Sequence, residues 1–183
     1  MSLIPKIGLP EGRAGEAIVD EVADGYEAFA LVQAAAEIAP DGPVLFVARD
    51  GQRLPSIVEA LSFAAPGLPV LELPAWDCLP YDRVSPGSDA AARRLDALTA
   101  MAALVKKPHR AVILVTANAL LQRIPPADVI AAQNFHARPG NQVNMNALVA
   151  RLETSGFDRV PTVRAVGEFA VRGGILDLFA PGW

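Results

Sequence analysis

Ala111-Val-Ile-Leu-Val115 is an unbroken apolar run, and Val44-Leu-Phe-Val-Ala48 repeats the pattern earlier in the chain. Runs of this kind are typical of strands that are covered on both faces in a parallel sheet. Val70-Leu-Glu-Leu73 is a third strand candidate. We therefore predict a parallel β-sheet in which the strands at 44–48 and 111–115 are buried on both faces.

Helical periodicity separates these strands. Apolar residues recur at three- and four-residue steps in three segments, which extend from about Gly25 to Ala39, from Leu54 to the residue before Ala65, and from Ser88 to about Lys107. A short helix is predicted over 116–123, and Asp50 and Ser88 are expected to cap the second and third helices. The expected buried face of the third helix consists of Leu95, Leu98, Ala102 and Val105. Strands that alternate with helices indicate an α/β fold with a doubly wound parallel sheet and flanking helices.

The pattern changes near residue 133. A polar stretch leads to an amphipathic helix from Met145 to about Leu152, which Ser155-Gly156 ends. Segments rich in Val, Ile and Phe follow at 159–163, 168–172 and 175–179, and Gly173-Gly174 suits a tight turn between the last two. We therefore expect two domains, at 1–132 and 133–183. The second is a smaller α+β domain, and because one helix and a few strands bury little area, we expect it to be truncated at its C-terminus.

Composition excludes several classes of protein. The chain has 183 residues, of which 52% are hydrophobic and 20% are charged, as in an ordinary folded protein. Its formal net charge of -4 does not provide the broad positive field that nonspecific nucleic-acid binding requires. No apolar run approaches the roughly 20 residues of a bilayer span, and the first residues carry no secretion signal. We therefore expect no membrane contact and a cytoplasmic location.

The sequence contains no recognisable catalytic, cofactor or metal motif. The loop that enters the first helix lacks a Gly-Lys-Ser/Thr pattern, and Asp24 and Glu27 would repel a phosphate there. Cys78 is the only cysteine, and a small buried thiol is its expected role. Asp77 and Asp82 could act as an acid/base pair, although capping turns is the commoner role of such residues. We expect no catalytic residue, no cofactor and no metal.

Two longer stretches carry a family resemblance: Leu79-Pro-Tyr-Asp-Arg-Val-Ser-Pro86 with Arg94-Leu95 after it, and Gly167-Glu-Phe-Ala-Val-Arg-Gly-Gly-Ile-Leu-Asp-Leu-Phe179. From about residue 20 to residue 183 the chain resembles the N-terminal UvrB-like region of transcription-repair coupling factors. The resemblance implies a RecA-like first domain that has lost its nucleotide site, followed by part of a UvrA-binding domain. It also implies that Phe169, Arg172 and Gly173 form the Phe-x-x-Arg-Gly pattern of the domain that this family shares with UvrB.

The resemblance further implies a non-catalytic module in nucleotide excision repair. Members of the family displace a stalled RNA polymerase with an ATP-driven DNA translocase motor and recruit UvrA to the lesion. The motor, and the contacts with RNA polymerase and DNA, are expected outside this sequence, so UvrA is the expected partner. The alternative is a nucleotide- or DNA-binding domain of a repair helicase. Its basic residues would be Arg83, Arg93, Arg94, Lys106 and Lys107. Trp76 and Tyr81 are interpreted as loop-packing residues.

Arg172 is the expected centre of the UvrA-binding site, together with Gly173, Phe169 and Glu168. Side chains alternate along a strand, so Phe169 would pack inward while Arg172 faces solvent. A guanidinium binds carboxylates in a bidentate manner, and arginine is enriched at interface hot spots. From the residues alone, an ion pair of Arg172 with Glu168 or Asp177 is the commoner fate of a strand arginine. The resemblance favours docking.

Overall fold

The computed structural model describes residues 22, 23, 25–78, 81, 83, 85–133, 135 and 137–180, with all of their side chains except those of residues 88 and 133. Within these ranges the chain forms six helices and six strands. In chain order they are α1 Glu27–Glu37, β1 Pro43–Ala48, α2 Leu54–Ala64, β2 Val70–Leu73, α3 Ser88–Lys106, β3 Ala111–Thr116, α4 Ala117–Leu120, α5 Ala127–Gln133, α6 Met145–Thr154, β4 Asp158–Arg159, β5 Glu168–Arg172 and β6 Ile175–Leu178. The predictions for Asp24, Leu79, Pro80 and Asp82 concern residues outside the described ranges.

The first sheet is parallel and has the strand order β1-β3-β2. Strand β3 pairs with β1 from Pro43↔Ala111 to Ala48↔Thr116, and with β2 from Val70↔Val112 to Leu73↔Val115. Residues 111–115 are all buried, as expected for a central strand with helices on both faces. The predicted parallel α/β sheet is confirmed.

Strand β1 differs from its prediction. Leu45 and Val47 are about half exposed, so one face of β1 is open to solvent, and the expectation that 44–48 is covered on both faces is wrong. The cause is the position of the strand, because β1 pairs only with β3 among the described strands. Helices α1 and α2 cover one face of β1, whereas α3 lies over β2 on the other side of the sheet. An apolar run does not reveal that a strand lies at an edge.

The helices form one layer on each face of the sheet. On one face α1 and α2 contribute to a buried cluster with β1 and β3: Ala28, Leu31, Ala35, Leu54, Ile57, Leu61, Val112 and Leu114 are among its members. On the other face α3, α4 and α5 pack through Leu98, Ala119 and Ile130 against Leu73 and Val115. Each fully buried Leu or Ile contributes about 1.5–3 kcal/mol to folding, so these two clusters hold the three layers together.

The buried face of α3 is turned relative to its prediction. Leu98 and Ala102 are buried as expected, but Leu95 and Val105 are exposed. The buried stripe instead includes Arg94 and Leu104. Alanines lie on every side of this helix, so the apolar periodicity defines the stripe poorly, and the packing of α3 against β2 decides which side is buried.

Three helix starts also differ from prediction. Gly87 occupies the N-cap position of α3, and Ser88, the expected cap, is the first residue of the helix. Asp50 does not cap α2, because the Oδ1 atom of Asp50 accepts a hydrogen bond from the backbone N–H of Gln52, in the turn before the helix begins at Leu54. Helix α5 was not predicted, since Pro125-Pro126 indicated only the end of the preceding helix. Proline is also favoured at helix starts, and here the backbone N–H of Ile130 donates to the carbonyl of Pro126.

The second sheet is small and mixed. Strands are ordered β4-β5-β6, with β4 parallel and β6 antiparallel to β5. Helix α6 precedes it as predicted, and the side chain of Asn144 caps α6 by accepting from the backbone N–H of Ala147. The segment predicted as a strand over 159–163 is shortened to β4, whereas β5, β6 and the turn between them are confirmed. The domain division at residue 133 stays a prediction.

None of the helices in the described part of the chain combines the length and hydropathy needed to cross a bilayer.

Candidate protein-docking site

The β5–β6 hairpin positions the predicted site residues. Its antiparallel register pairs Ala170 with Asp177 and Arg172 with Ile175, so these four side chains belong to one face of the sheet. Gly173 lies in the turn with φ +60°, a left-handed conformation that glycine adopts without steric cost. Arg172 is therefore held at the tip of the hairpin, beside a turn with little side-chain bulk.

The side chain of Arg172 is 62% exposed, as predicted for an outward-facing strand residue. Its Nη2 donates to the Oδ2 atom of Asp177. Of the two ion-pair partners that the sequence offered, Glu168 and Asp177, the structure therefore has Asp177. No second acceptor for the guanidinium is found among the described residues. Part of the guanidinium hydrogen-bonding edge therefore faces solvent.

Phe169 and Glu168 lie further down β5, away from the hairpin tip. Phe169 is fully buried and pairs with Leu178 on the opposite face of the sheet from Arg172, so it supports the sheet from beneath. The Oε2 atom of Glu168 accepts hydrogen bonds from the backbone N–H groups of Arg164 (2.7 Å) and Ala165 (2.8 Å). These bonds, the one from Arg164 first, hold the pKa of the Glu168 carboxyl below its ordinary value. Glu168 thus fixes the turn that leads into β5.

Sequence reasoning missed two exposed apolar residues on the face that carries Arg172, one directly across from it and one at the other end of the hairpin. Ile175 is 65% exposed and Phe179 is 37% exposed, and both share a face with Asp177 because side chains alternate along β6. The backbone N–H of Phe179 donates to the carbonyl of Glu168, which continues this register beyond β6. The signal was present as an apolar-x-acidic-x-apolar alternation. We call Arg172, Ile175, Asp177 and Phe179 the docking surface.

Glu27 lies in the first turn of α1, where the sequence has no phosphate-binding pattern. Its Oε2 accepts from the backbone N–H of Gly25 at 2.9 Å, and its Oε1 lies 2.7 Å from Nη2 of Arg53. Both oxygens of this carboxylate are therefore engaged within the chain.

Known proteins match both parts of this chain. Residues 135–182, which contain α6 and the docking surface, match the family described as the UvrB interaction domain. The chain is 32% identical over 141 residues to the transcription-repair-coupling factor of Escherichia coli (strain K12), which covers 77% of this chain and 12% of the relative. The corresponding protein of Mycobacterium bovis (strain ATCC BAA-935 / AF2122/97) is 34% identical over 165 residues, 88% of this chain and 13% of the relative. That of Myxococcus xanthus is 33% identical over 145 residues, 76% of this chain and 12% of the relative.

This chain is a homologue of transcription-repair-coupling factors. The family resemblance inferred from the sequence is confirmed. The chain spans only 12–13% of the length of these curated transcription-repair-coupling factors.

Arg94, which belongs to the other stretch that carries the family resemblance, is buried in the structure. Arg94 is 1% exposed, donates from Nη1 to the carbonyl of Pro74 at 2.5 Å, and has its Cζ 4.9 Å from the ring centroid of Trp76. Burial lowers the pKa of its guanidinium, and Nη2 has no partner in the described part of the chain. Arg94 is therefore not available to the alternative DNA-binding reading, because Pro74 and Trp76 cover its guanidinium.

Other predictions for the loop before α3 have mixed outcomes. Asp77 accepts from the backbone N–H of Gly87 with both carboxylate oxygens at 3.1 Å, which agrees with the turn-capping interpretation. Trp76 is partly buried against Arg94 as expected, but Tyr81 is 96% exposed and is not a packing residue. Cys78 is a free thiol that is only partly buried.

No group of three or more His, Cys, Asp or Glu side chains within the described ranges could hold a metal ion.

Proposed function

We propose that this chain is the part of a transcription-repair-coupling factor that docks UvrA, and so recruits nucleotide excision repair to lesions where RNA polymerase has stalled. The observation that carries the proposal is the exposed Arg172 at the hairpin tip, inside the segment that matches the UvrB interaction domain. The resemblance implies that this family and UvrB share a UvrA-binding domain. Arg172 is the central contact, Gly173 keeps the turn beside it open, and Phe169 and Glu168 support the sheet.

The chemistry of the docking surface suits a protein partner. A guanidinium offers up to five donors in a planar fork, and exposed Ile175 lies directly across from Arg172. Exposed Phe179 adds apolar area at the other end of the same face, opposite Glu168. Arginine is enriched among the residues that dominate the binding energy of interfaces. The complementary patch on UvrA would therefore present a carboxylate flanked by apolar residues.

The module is proposed to act without catalysis of its own. Glu27 is paired to Arg53 at the start of α1, which supports a RecA-like first domain over residues 1–132 that has lost its nucleotide site. The ATP-driven motor, and the contacts with RNA polymerase and DNA, are assigned to the much larger remainder of the relatives. Residues 133–183 are proposed as part of the UvrA-binding domain.

Titration of purified UvrA against this chain, and against a longer chain that completes the second domain, tests the proposal. We expect saturable binding by the longer chain and weaker binding by this one, because the resemblance implies that the UvrA-binding domain of the family has contacts in addition to Arg172. A protein of similar net charge without a UvrB interaction domain is the control. Absence of binding by both chains would remove the proposed function.

A further inference from the structure

We propose that Asp177 is a positioning residue that holds Arg172 in the orientation in which it meets its partner. The inference rests on the proposed function, since it names the neighbour that prepares the central contact. It also predicts the chemistry of the partner surface more closely than Arg172 alone does.

The hairpin register allows one long side chain to reach Asp177. Arg172 is directly opposite Ile175, and Asp177 lies two residues further along β6 on the same face. Diagonal neighbours of this kind are about 7–8 Å apart at the backbone, a distance that an arginine side chain spans easily. The opposite partner of Asp177 is Ala170, whose methyl group does not compete for the carboxylate. Asp177 is therefore the acceptor that the fold offers to Arg172.

Only one edge of the guanidinium is used by this contact. Asp177 binds Nη2, and within the described residues no acceptor binds the other donors of Arg172. The side chain of Asp177 is itself 40% exposed. The pair thus presents a fixed guanidinium edge and an accessible carboxylate side by side.

Two opposing effects of Asp177 on docking must be compared. A free exposed arginine loses rotamer freedom when a partner immobilises it, and Asp177 removes part of this cost beforehand. Against this, Asp177 repels an incoming carboxylate. That repulsion acts across the positively charged guanidinium, over a distance close to the Debye length of about 8 Å, where salt reduces it to roughly 40%. Preorganisation therefore outweighs repulsion, and Asp177 strengthens docking.

The arrangement also defines what the partner patch must contain. Arg172 requires a carboxylate, and Ile175 and Phe179 require apolar contacts. The accessible oxygen of Asp177 requires a hydrogen-bond donor or a cation next to that carboxylate, because an unpaired acid in the interface would be penalised. We infer that the partner surface is a mixed-charge patch with an apolar margin.

The test compares UvrA affinity for four variants of the longer chain that completes the second domain: Asp177→Ala, Asp177→Asn, Arg172→Ala and the double variant Arg172→Ala/Asp177→Ala. We expect Asp177→Ala to weaken binding about 3- to 10-fold, mainly through faster dissociation, and Asp177→Asn to weaken it less. In the Arg172→Ala background the Asp177→Ala change should have no further effect, since there is nothing left to position.

Asp158→Ala is the matched control, because Asp158 is an exposed carboxylate on the same face of the same sheet and has no ion pair among the described residues. The Asp158→Ala variant should bind UvrA with the same affinity as the unchanged chain. If Asp177→Ala tightens binding or leaves it unchanged while Arg172→Ala weakens it, the positioning role is wrong and the proposed function stands. If Arg172→Ala itself has no effect, both fail. Asp177→Asn is nearly isosteric and keeps the test valid should the alanine variant not fold.

Discussion

At the scale of single residues, two arginines named in the sequence analysis, Arg94 and Arg172, have opposite environments. Strand alternation correctly predicted that Arg172 is exposed and that Phe169 is buried. The burial of Arg94 was not predictable, because it depends on a loop that returns to place the carbonyl of Pro74 and the ring of Trp76 over the helix. Local periodicity contains the first kind of information and lacks the second.

Arg94 is predicted to be a structural residue. Arg94→Ala should lower the free energy of unfolding by about 2–4 kcal/mol, because it leaves a cavity and removes a charge-assisted hydrogen bond. Arg94→Met should cost less, since it fills the space and removes a buried charge whose Nη2 has no partner among the described residues. Urea unfolding followed by Trp fluorescence measures both. Arg93→Ala, at the exposed neighbour of Arg94, is the control. Equal stability of the unchanged chain and all three variants would refute the structural role of Arg94.

Glu168 is predicted to make stability depend on pH. Its pKa is lowered in the folded chain by the N–H groups of Arg164 and Ala165, so the carboxylate contributes stability that is fully present above its ordinary pKa of 4.5. This contribution is lost as pH falls through the lower folded pKa. Urea unfolding is measured between pH 3 and pH 6, roughly one to two pH units on either side of the ordinary value. As the pH falls, the free energy of unfolding should decrease less for Glu168→Gln than for the unchanged chain. Identical pH profiles would show that the turn does not depend on this carboxylate.

At the scale of secondary-structure elements, the sequence predicted where elements occur better than where they pack. Strands β2 and β3 and helices α1, α2 and α6 lie close to their predicted positions. The strands have short apolar runs, and the helices have a clear apolar period. The open face of β1 and the turned stripe of α3 depend on which neighbour lies alongside, which a local pattern does not contain. The exposed apolar residues Ile175 in β6 and Phe179 just after it were missed for the same reason.

The β5–β6 turn is predicted to require glycine at only one of its two positions. Gly173 has φ +60°, so Gly173→Ala should lower the free energy of unfolding by about 1–2 kcal/mol through left-handed backbone strain. Gly174 has no such φ, and the space that a methyl group would fill there is open, so Gly174→Ala is the control and should be neutral or slightly stabilising. Chemical denaturation compares them. Equal effects of the two substitutions would contradict the turn geometry.

At the scale of the whole molecule, the two sheets have different proposed roles. The parallel sheet is proposed as a scaffold that binds no nucleotide, with Glu27 paired to Arg53 at the start of α1, and the small mixed sheet presents Arg172, Ile175 and Phe179 on one face. The sequence predicted the α/β class and the family. It named Arg172 as the centre of the site but not its apolar and acidic neighbours as parts of one surface, because that surface arises from cross-strand register.

The central claim, that Arg172 anchors UvrA, is tested most directly by isothermal titration of UvrA against the longer chain and its Arg172→Ala variant. Arg159→Ala is the matched control, because Arg159 is an exposed arginine on the opposite face of the same sheet. We predict that Arg172→Ala weakens binding by about 1–3 kcal/mol, or roughly 5- to 150-fold, with little change in thermal unfolding, and that Arg159→Ala binds like the unchanged chain. Unchanged affinity of the Arg172→Ala variant for UvrA would contradict the account.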